Sequence, residues 1–187
     1  MFEEFIKQGI GALYIISQVF ALASFVFDLV AIQSRKKSTL LNLDTMAAFC
    51  SFLHYAFLGA WAGMVSKIIT TVRNAVAANE ASHKRKSPKI LPIIFVGLYV
   101  IIGFFTFDSW LSLLPILAPS IYTIVIYTSD VQKIRYAAVV TNLIWLVYNI
   151  FVFSAVGIIA QVVLTINDLI AIYRYRKKKR GRRTQKI

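Results

Sequence analysis

The sequence is short of the residues that most enzyme chemistry needs. Cys50 is its only cysteine, which excludes an intrachain disulfide and a cysteine-based metal site. His54 and His83 are its only histidines, far apart in the chain. It has no Gly-x-Ser-x-Gly elbow, no His-Glu-x-x-His helix and no phosphate-cradling glycine loop. The expectation is a protein that is not an enzyme and uses no metal or cofactor. Charge is scarce as well, at 16% of residues, where a soluble domain has about 25%. Acidic charge is scarcest: 8 Asp and Glu stand against 21 Lys and Arg, a formal net charge of +13.

What is present is apolar. Hydrophobic residues make up 58% of the 187, including 14 Phe, 9 Tyr and 3 Trp. A soluble nucleic-acid binder would be basic without being this apolar, and a disordered basic protein would lack the aromatics. An integral membrane protein whose charges sit outside the bilayer remains, with lipid as its main partner and no nucleic acid. Met1-Phe2-Glu3-Glu4 is acidic where a cleavable signal peptide is basic, so the first apolar run is expected to stay in the membrane.

A spanning helix takes roughly 17–25 mostly apolar residues. Seven such runs are legible, at 9–32, 40–58, 62–78, 90–106, 111–127, 136–153 and 155–173. Helices are the expected form, because a barrel would alternate apolar and polar residues. Placing the N-terminus outside and alternating puts 18 of the 21 basic residues on the cytoplasmic side. They lie in loops 33–39, 79–89 and 128–135 and in the tail from Arg174. Glu3, Glu4, Asp108 and Lys7 fall outside, and Lys67 and Arg73 lie within the third span. The positive-inside rule therefore gives a single 1–187 membrane domain, N-terminus out and C-terminus in. It also reads the basic tail 174–187 as a topology anchor rather than a nucleic-acid site.

Spans two and three resemble spans six and seven. At an offset of 93, Phe52-Leu53-His54-Tyr55 falls on Trp145-Leu146-Val147-Tyr148. After a shift of one residue in the loop, Gly63 meets Gly157, Thr71 meets Thr165, Lys67 meets Gln161 and Asn74 meets Asp168. An all-α plan of three plus one plus three spans follows: 9–78 and 111–173 are parallel triple-helix repeats, joined by a linker helix at 90–106.

Leu53-His54-Tyr55, Leu58-Gly59-Ala60 and Arg73-Asn74, then Leu113-Leu114-Pro115, Ile134-Arg135 and Trp145-Leu146-Val147-Tyr148-Asn149, resemble the YgjV family of bacterial inner-membrane proteins over nearly the whole chain. The resemblance implies the location and the fold, and names no substrate. The 3+1+3 plan and the Trp-x-x-Tyr of Trp145 and Tyr148 more distantly resemble the SWEET, SemiSWEET and PnuC facilitators, which implies a transporter. SemiSWEET-like triplets carry a substrate-contacting Asn 16 residues after the Trp, where this chain has Gln161, and the SWEET-type Pro-Gln pair is missing. A sugar substrate is therefore not implied.

Polar residues inside spans are costly, so they usually face a cavity or a partner. Lys67, Thr71 and Asn74 share one helix face, as do Gln161, Thr165 and Asp168 on the last span. Asn142, Trp145 and Asn149 form a third stripe, suited to a hydroxylated or ring-bearing ligand or to helix–helix packing. The expected substrate-binding residues are Lys67, Asn74, Trp145, Asn149, Gln161 and Asp168, in a facilitator of a small polar metabolite that works by alternating access; the alternative is a non-transporting membrane protein that scaffolds a partner or modulates the bilayer. Pro115 and Pro119 are expected to kink or hinge span five. His54 reads as a hydrogen-bonded interior side chain. Asp28 and Asp44 read as interfacial partners of the basic loop at Arg35 to Lys37. Gly59 and Gly63 read as a turn.

Overall fold

The computed structural model describes residues 11–34, 36–83, 85, 87–127 and 131–184, with Val131 and 175–184 as backbone only. Glu3, Glu4, Lys7, Arg35, Lys84, Lys86 and Lys186, whose charges help set the expected topology, lie outside the described residues. Seven α-helices are described: α1 Ala12–Gln33, α2 Lys37–Leu58, α3 Trp61–Ser82, α4 Ile90–Phe105, α5 Leu114–Ile126, α6 Val131–Phe151 and α7 Ala155–Thr184. A 3-10 turn, Trp110–Leu113, leads into α5. The all-α membrane class read from the sequence stands.

Hydropathy alone marks three segments long and apolar enough to cross a bilayer: Ala12–Gln33, Gln132–Phe151 and Ala155–Arg174. Ile90–Phe105 and Trp110–Ile126 are shorter apolar segments. Helices α2 and α3 have 22 residues each. At 1.5 Å per residue each is roughly 33 Å long, enough for the hydrocarbon core. Their mean hydropathy is lowered by Asp44, His54, Lys67, Arg73 and Asn74, which point inward rather than to lipid.

The burial pattern is that of a protein in lipid. Leu13, Val19, Val26, Ile93, Phe104, Leu143 and Ile159 are exposed, while Ser17, His54, Arg73, Asn74, Asn149, Ser154 and Asp168 are buried. In water this would leave most of the surface apolar; in a bilayer it places each group in its preferred medium. Small residues allow close helix packing. Ser17, Ala21 and Ser24 of α1 are buried with Ala47 and Ala48 of α2, and the hydroxyls of Ser24 and Ser51 meet at 2.7 Å.

Six helices form a closed ring in the order α1, α2, α3, α5, α6, α7 and back to α1, while α4 packs outside it against α3 and α5. The exchange of α1 for α5, α2 for α6 and α3 for α7 maps the ring, though not α4, onto itself.

The helix starts differ from the apolar runs. α6 begins at Val131, five residues before the predicted span, and α7 continues to Thr184. Lys, Arg and Gln are good helix formers, so a helix can continue past the point where hydropathy falls. α5 begins only at Leu114, after the 3-10 turn.

Candidate functional site

The turns that join α2 to α3 and α6 to α7 have the same construction. In the first, Gly59 takes φ +72°, its N–H donates to Ala56 O, and Ala60 N–H donates to Tyr55 O at 3.0 Å. In the second, Phe153 takes φ +53°, its N–H donates to Ile150 O, and Ser154 N–H donates to Asn149 O at 2.9 Å. These are the paired reverse bonds of a left-handed helix cap. Every residue of the second turn lies 94 positions after its counterpart in the first. The offset of 93 read for the middle of these spans is therefore corrected: Tyr55 corresponds to Asn149, and Ser51 to Trp145.

A cavity of about 160 Å³ lies inside the ring, lined by all six of its helices. The interval of 94 holds there as well. Leu40, Asp44, Ala47, Ala48 and Ser51 of α2 line it, and so do Ile134, Ala138, Thr141, Asn142 and Trp145 of α6. Lys67, Thr70 and Asn74 of α3 correspond in the same way to Gln161, Leu164 and Asp168 of α7, and Asp28 of α1 to Tyr122 of α5. Thr71 and Thr165 return their hydroxyls to their own helix, at Lys67 O and Gln161 O, and do not line the cavity.

One end of the cavity is closed. Tyr55 and Trp145 stack with centroids 5.6 Å apart, and Tyr148 meets both edge-on. Tyr55 Oη donates to Asn149 Oδ1 at 3.0 Å, and Gly63 N–H donates to Tyr148 Oη at 3.1 Å. A Cβ on Gly63 would lie 3.0 Å from the rings of Tyr148 and Tyr55, so glycine permits this approach. His54 bridges Ser17 O, 2.8 Å from Nδ1, and the Ser154 hydroxyl, 3.0 Å from Nε2. Gln18 Oε1 accepts the Val156 N–H at 2.9 Å. The opposite end is lined by Ile32, Leu40, Asp44, Ile134 and Arg135, beside the basic connections.

Five of the six expected site residues line this cavity: Lys67, Asn74, Trp145, Gln161 and Asp168. Lys67 and Asp168 do not pair with each other. Lys67 Nζ lies 4.1 Å from the centroid of the Trp145 ring, and Asp168 accepts from Asn142 Nδ2 at 3.2 Å. A cation over an indole face is attracted by its quadrupole, but among the described residues no oxygen accepts its N–H donors. Gln161 Oε1 is buried with no hydrogen-bond partner. Asn74 Oδ1 accepts from Arg73 Nε at 3.1 Å and Nη2 at 2.8 Å, which leaves its amide hydrogens for the cavity.

Asn149 is elsewhere. It is 1% exposed, takes the Tyr55 hydroxyl and gives its amide to Trp145 O at 2.9 Å. It belongs to the closed end, one turn beyond the cavity. The expected hinge residues also separate. Pro115 sits in the first turn of α5, where its missing N–H breaks no helical bond. Pro119 lies inside α5 and lines the cavity. The carbonyl that Pro119 frees, Pro115 O, accepts the Ser66 hydroxyl.

Asp28, Asp44 and Arg135 also line the cavity. The reading of the two aspartates as interfacial partners of the basic loop is corrected: α1 and α2 turn them inward, and Tyr122 Oη reaches Asp44 Oδ2 at 3.4 Å. Arg135, a loop charge by hydropathy, lies inside α6, which begins at Val131. Arg73 is 1% exposed and stitches α3 to α5, with Nη1 on Pro119 O at 3.1 Å and on Thr123 Oγ1 at 2.7 Å.

A cavity lined by charged and polar side chains, within helices whose outer faces are apolar, is the arrangement of a membrane protein. Residues 15–179 match the family Imp-YgjV, described as bacterial inner membrane protein. No curated protein and no solved structure matches the chain. The match spans most of the sequence, and the chain belongs to the YgjV family of bacterial inner membrane proteins.

Proposed function

We propose that the chain is a carrier, not an enzyme, for a small polar metabolite, and that it works by alternating access between two three-helix halves, 9–78 and 111–173. The observation that carries this reading is the cavity itself. Most of its lining recurs at an interval of 94 on both halves, which supports a site on a shared pseudo-twofold axis. Carriers built from parallel repeats hold substrate at such an interface and expose it to each side by moving one half against the other.

The bonds at the closed end join residues of one half to residues of the other: Tyr55 to Asn149, Gly63 to Tyr148, His54 to Ser154. With the N-terminus out and the C-terminus in, this state faces the cytoplasm. Opening the other way requires these bonds to break. The two seams between the halves are unequal. Along α3 and α5, Ser66, Arg73 and Thr123 make bonds over several turns. This seam acts as the hinge side, with Pro119 at its centre, and the α1–α7 seam separates.

A substrate-independent experiment tests the reading. Gln161→Cys in a Cys50→Ser background is treated with a membrane-impermeant thiol reagent in right-side-out and inside-out vesicles. A carrier labels from both faces. Labelling from one face only replaces it with a non-transporting scaffold that has a fixed vestibule.

A further inference from the structure

The two helices that bring Lys67 and Gln161 to the cavity present a cation and a neutral acceptor at corresponding positions, 67 and 161. Neither group is satisfied in the same way as its neighbours. Arg73 spends its N–H groups on Asn74, Pro119 and Thr123, and Asp168 takes the Asn142 amide. Among the described residues the Lys67 ammonium makes no hydrogen bond: it lies over the face of Trp145, at 4.1 Å, while Asp28 and Asp44 act on it through space, and three ammonium hydrogens ask for oxygen acceptors. Gln161 Oε1 is buried and asks for a donor. A ligand that fills both must bring an acidic oxygen at one end and an N–H or O–H at the other.

The charges choose between the ligands that could do this. Asp28, Asp44 and Asp168 line the cavity together with Lys67, Arg73 and Arg135, three carboxylates against three cations. A ligand with net charge of either sign would leave a surplus when the halves close around it on the way across, where an uncompensated charge is costly. A diamine would also meet Lys67 with like charge, and a sugar would give Lys67 only neutral oxygens. A cavity near 160 Å³ is about the size that admits one benzene-sized molecule.

We propose that the cavity binds a small zwitterion, a molecule of α-amino-acid type whose carboxylate meets Lys67 and whose ammonium lies toward Gln161 Oε1. This rests on the carrier reading and names its substrate class.

The test uses the full-length chain in proteoliposomes with radiolabelled alanine and proline, compared with lactate (no ammonium), ethanolamine (no carboxylate) and ribose (neutral). Alanine or proline uptake is expected to exceed that of protein-free vesicles, with the other three near background. Lys67→Gln, which takes the cation from the ligand's carboxylate, and Gln161→Lys, which sets a cation against its ammonium, should each reduce uptake about tenfold or more, a difference of about 1.4 kcal/mol. The double exchange should restore it to within a few-fold, because the ligand can turn end for end on the pseudo-twofold axis. A merely structural role at either position gives no such rescue. Uptake of ribose, lactate or ethanolamine in place of the amino acids overturns the proposal, as does an exchange that fails to rescue. If every compound stays at background while Gln161→Cys labels from both faces, the ligand class falls and the carrier stands. Labelling from one face only removes both.

Discussion

Tyr55 donates its hydroxyl to Asn149 Oδ1 at 3.0 Å, and the two residues stand 94 positions apart. The same interval relates the two left-handed turns and the cavity lining. Residues related by a pseudo-twofold that also touch must lie at its axis, so this bond marks where the halves close on each other. Tyr55→Phe leaves a buried oxygen without its donor, which costs about 1–3 kcal/mol. The expected result is a lower melting temperature in detergent and faster labelling of Gln161→Cys from the outer face. Unchanged outer labelling would remove this bond from the gate.

Asn149 was expected to touch ligand and instead holds the closed end. Asn149→Ala removes an acceptor for Tyr55 and a donor to Trp145 O. It should lower stability by about 1–3 kcal/mol while leaving the affinity for a cavity ligand nearly unchanged in the folded fraction. Gln161→Leu should do the reverse, since no internal partner of Oε1 is lost. Thermal melts with and without alanine separate the two outcomes.

The sequence points to Gln161 and Asn149 alike as cavity residues, and only Gln161 lines the cavity, for a physical reason. Periodicity fixes the angle of a residue around its helix, and Asn142, Trp145 and Asn149 do share a face. It does not fix depth, and the cavity ends between Trp145 and Asn149. The stripes of α3 and α7 were legible because their polar residues interrupt apolar runs. Asp28, Asp44 and Arg135 were not, because charges near a span end look the same whether they face headgroups or turn into the bundle. The offset of 93 rested on matching aromatic side chains, whereas the turns repeat in backbone conformation, with glycine at one and phenylalanine at the other. A phenylalanine gives no sequence signal for a left-handed position.

That asymmetry is testable. Gly59 adopts its positive φ at little cost, but Phe153 does so against the clash that disfavours left-handed L-residues by roughly 1–2 kcal/mol. Phe153 is also 39% exposed, so its ring contributes only part of its burial. Phe153→Gly should hold or raise the melting temperature, and Gly59→Ala should lower it. A marked loss of stability in Phe153→Gly would mean that the ring contributes more than the backbone strain costs.

Arg73 gives the sharpest test of the hinge side. Its guanidinium reaches Asn74 on its own helix and Pro119 and Thr123 on α5 at once. The residue 94 positions later, Asn167, is too short to copy this reach, and among the described residues the α1–α7 seam has instead the bond from Val156 N–H to Gln18 Oε1 at the closed end. Lysine keeps the charge but presents a single compact ammonium, which cannot span those acceptors as the planar fork does. Arg73→Lys should therefore lose at least two charge-assisted bonds, each worth about 1.5–3 kcal/mol, seen as a large drop in melting temperature or in the monodisperse yield. Thr123→Val removes only one of them and should remain folded. If the α3–α5 seam is the hinge, Thr123→Val changes the rate at which position 161 becomes accessible without changing alanine affinity. If this seam is instead a gate, the variant shifts the balance between inner and outer labelling, and the α1–α7 seam becomes the hinge.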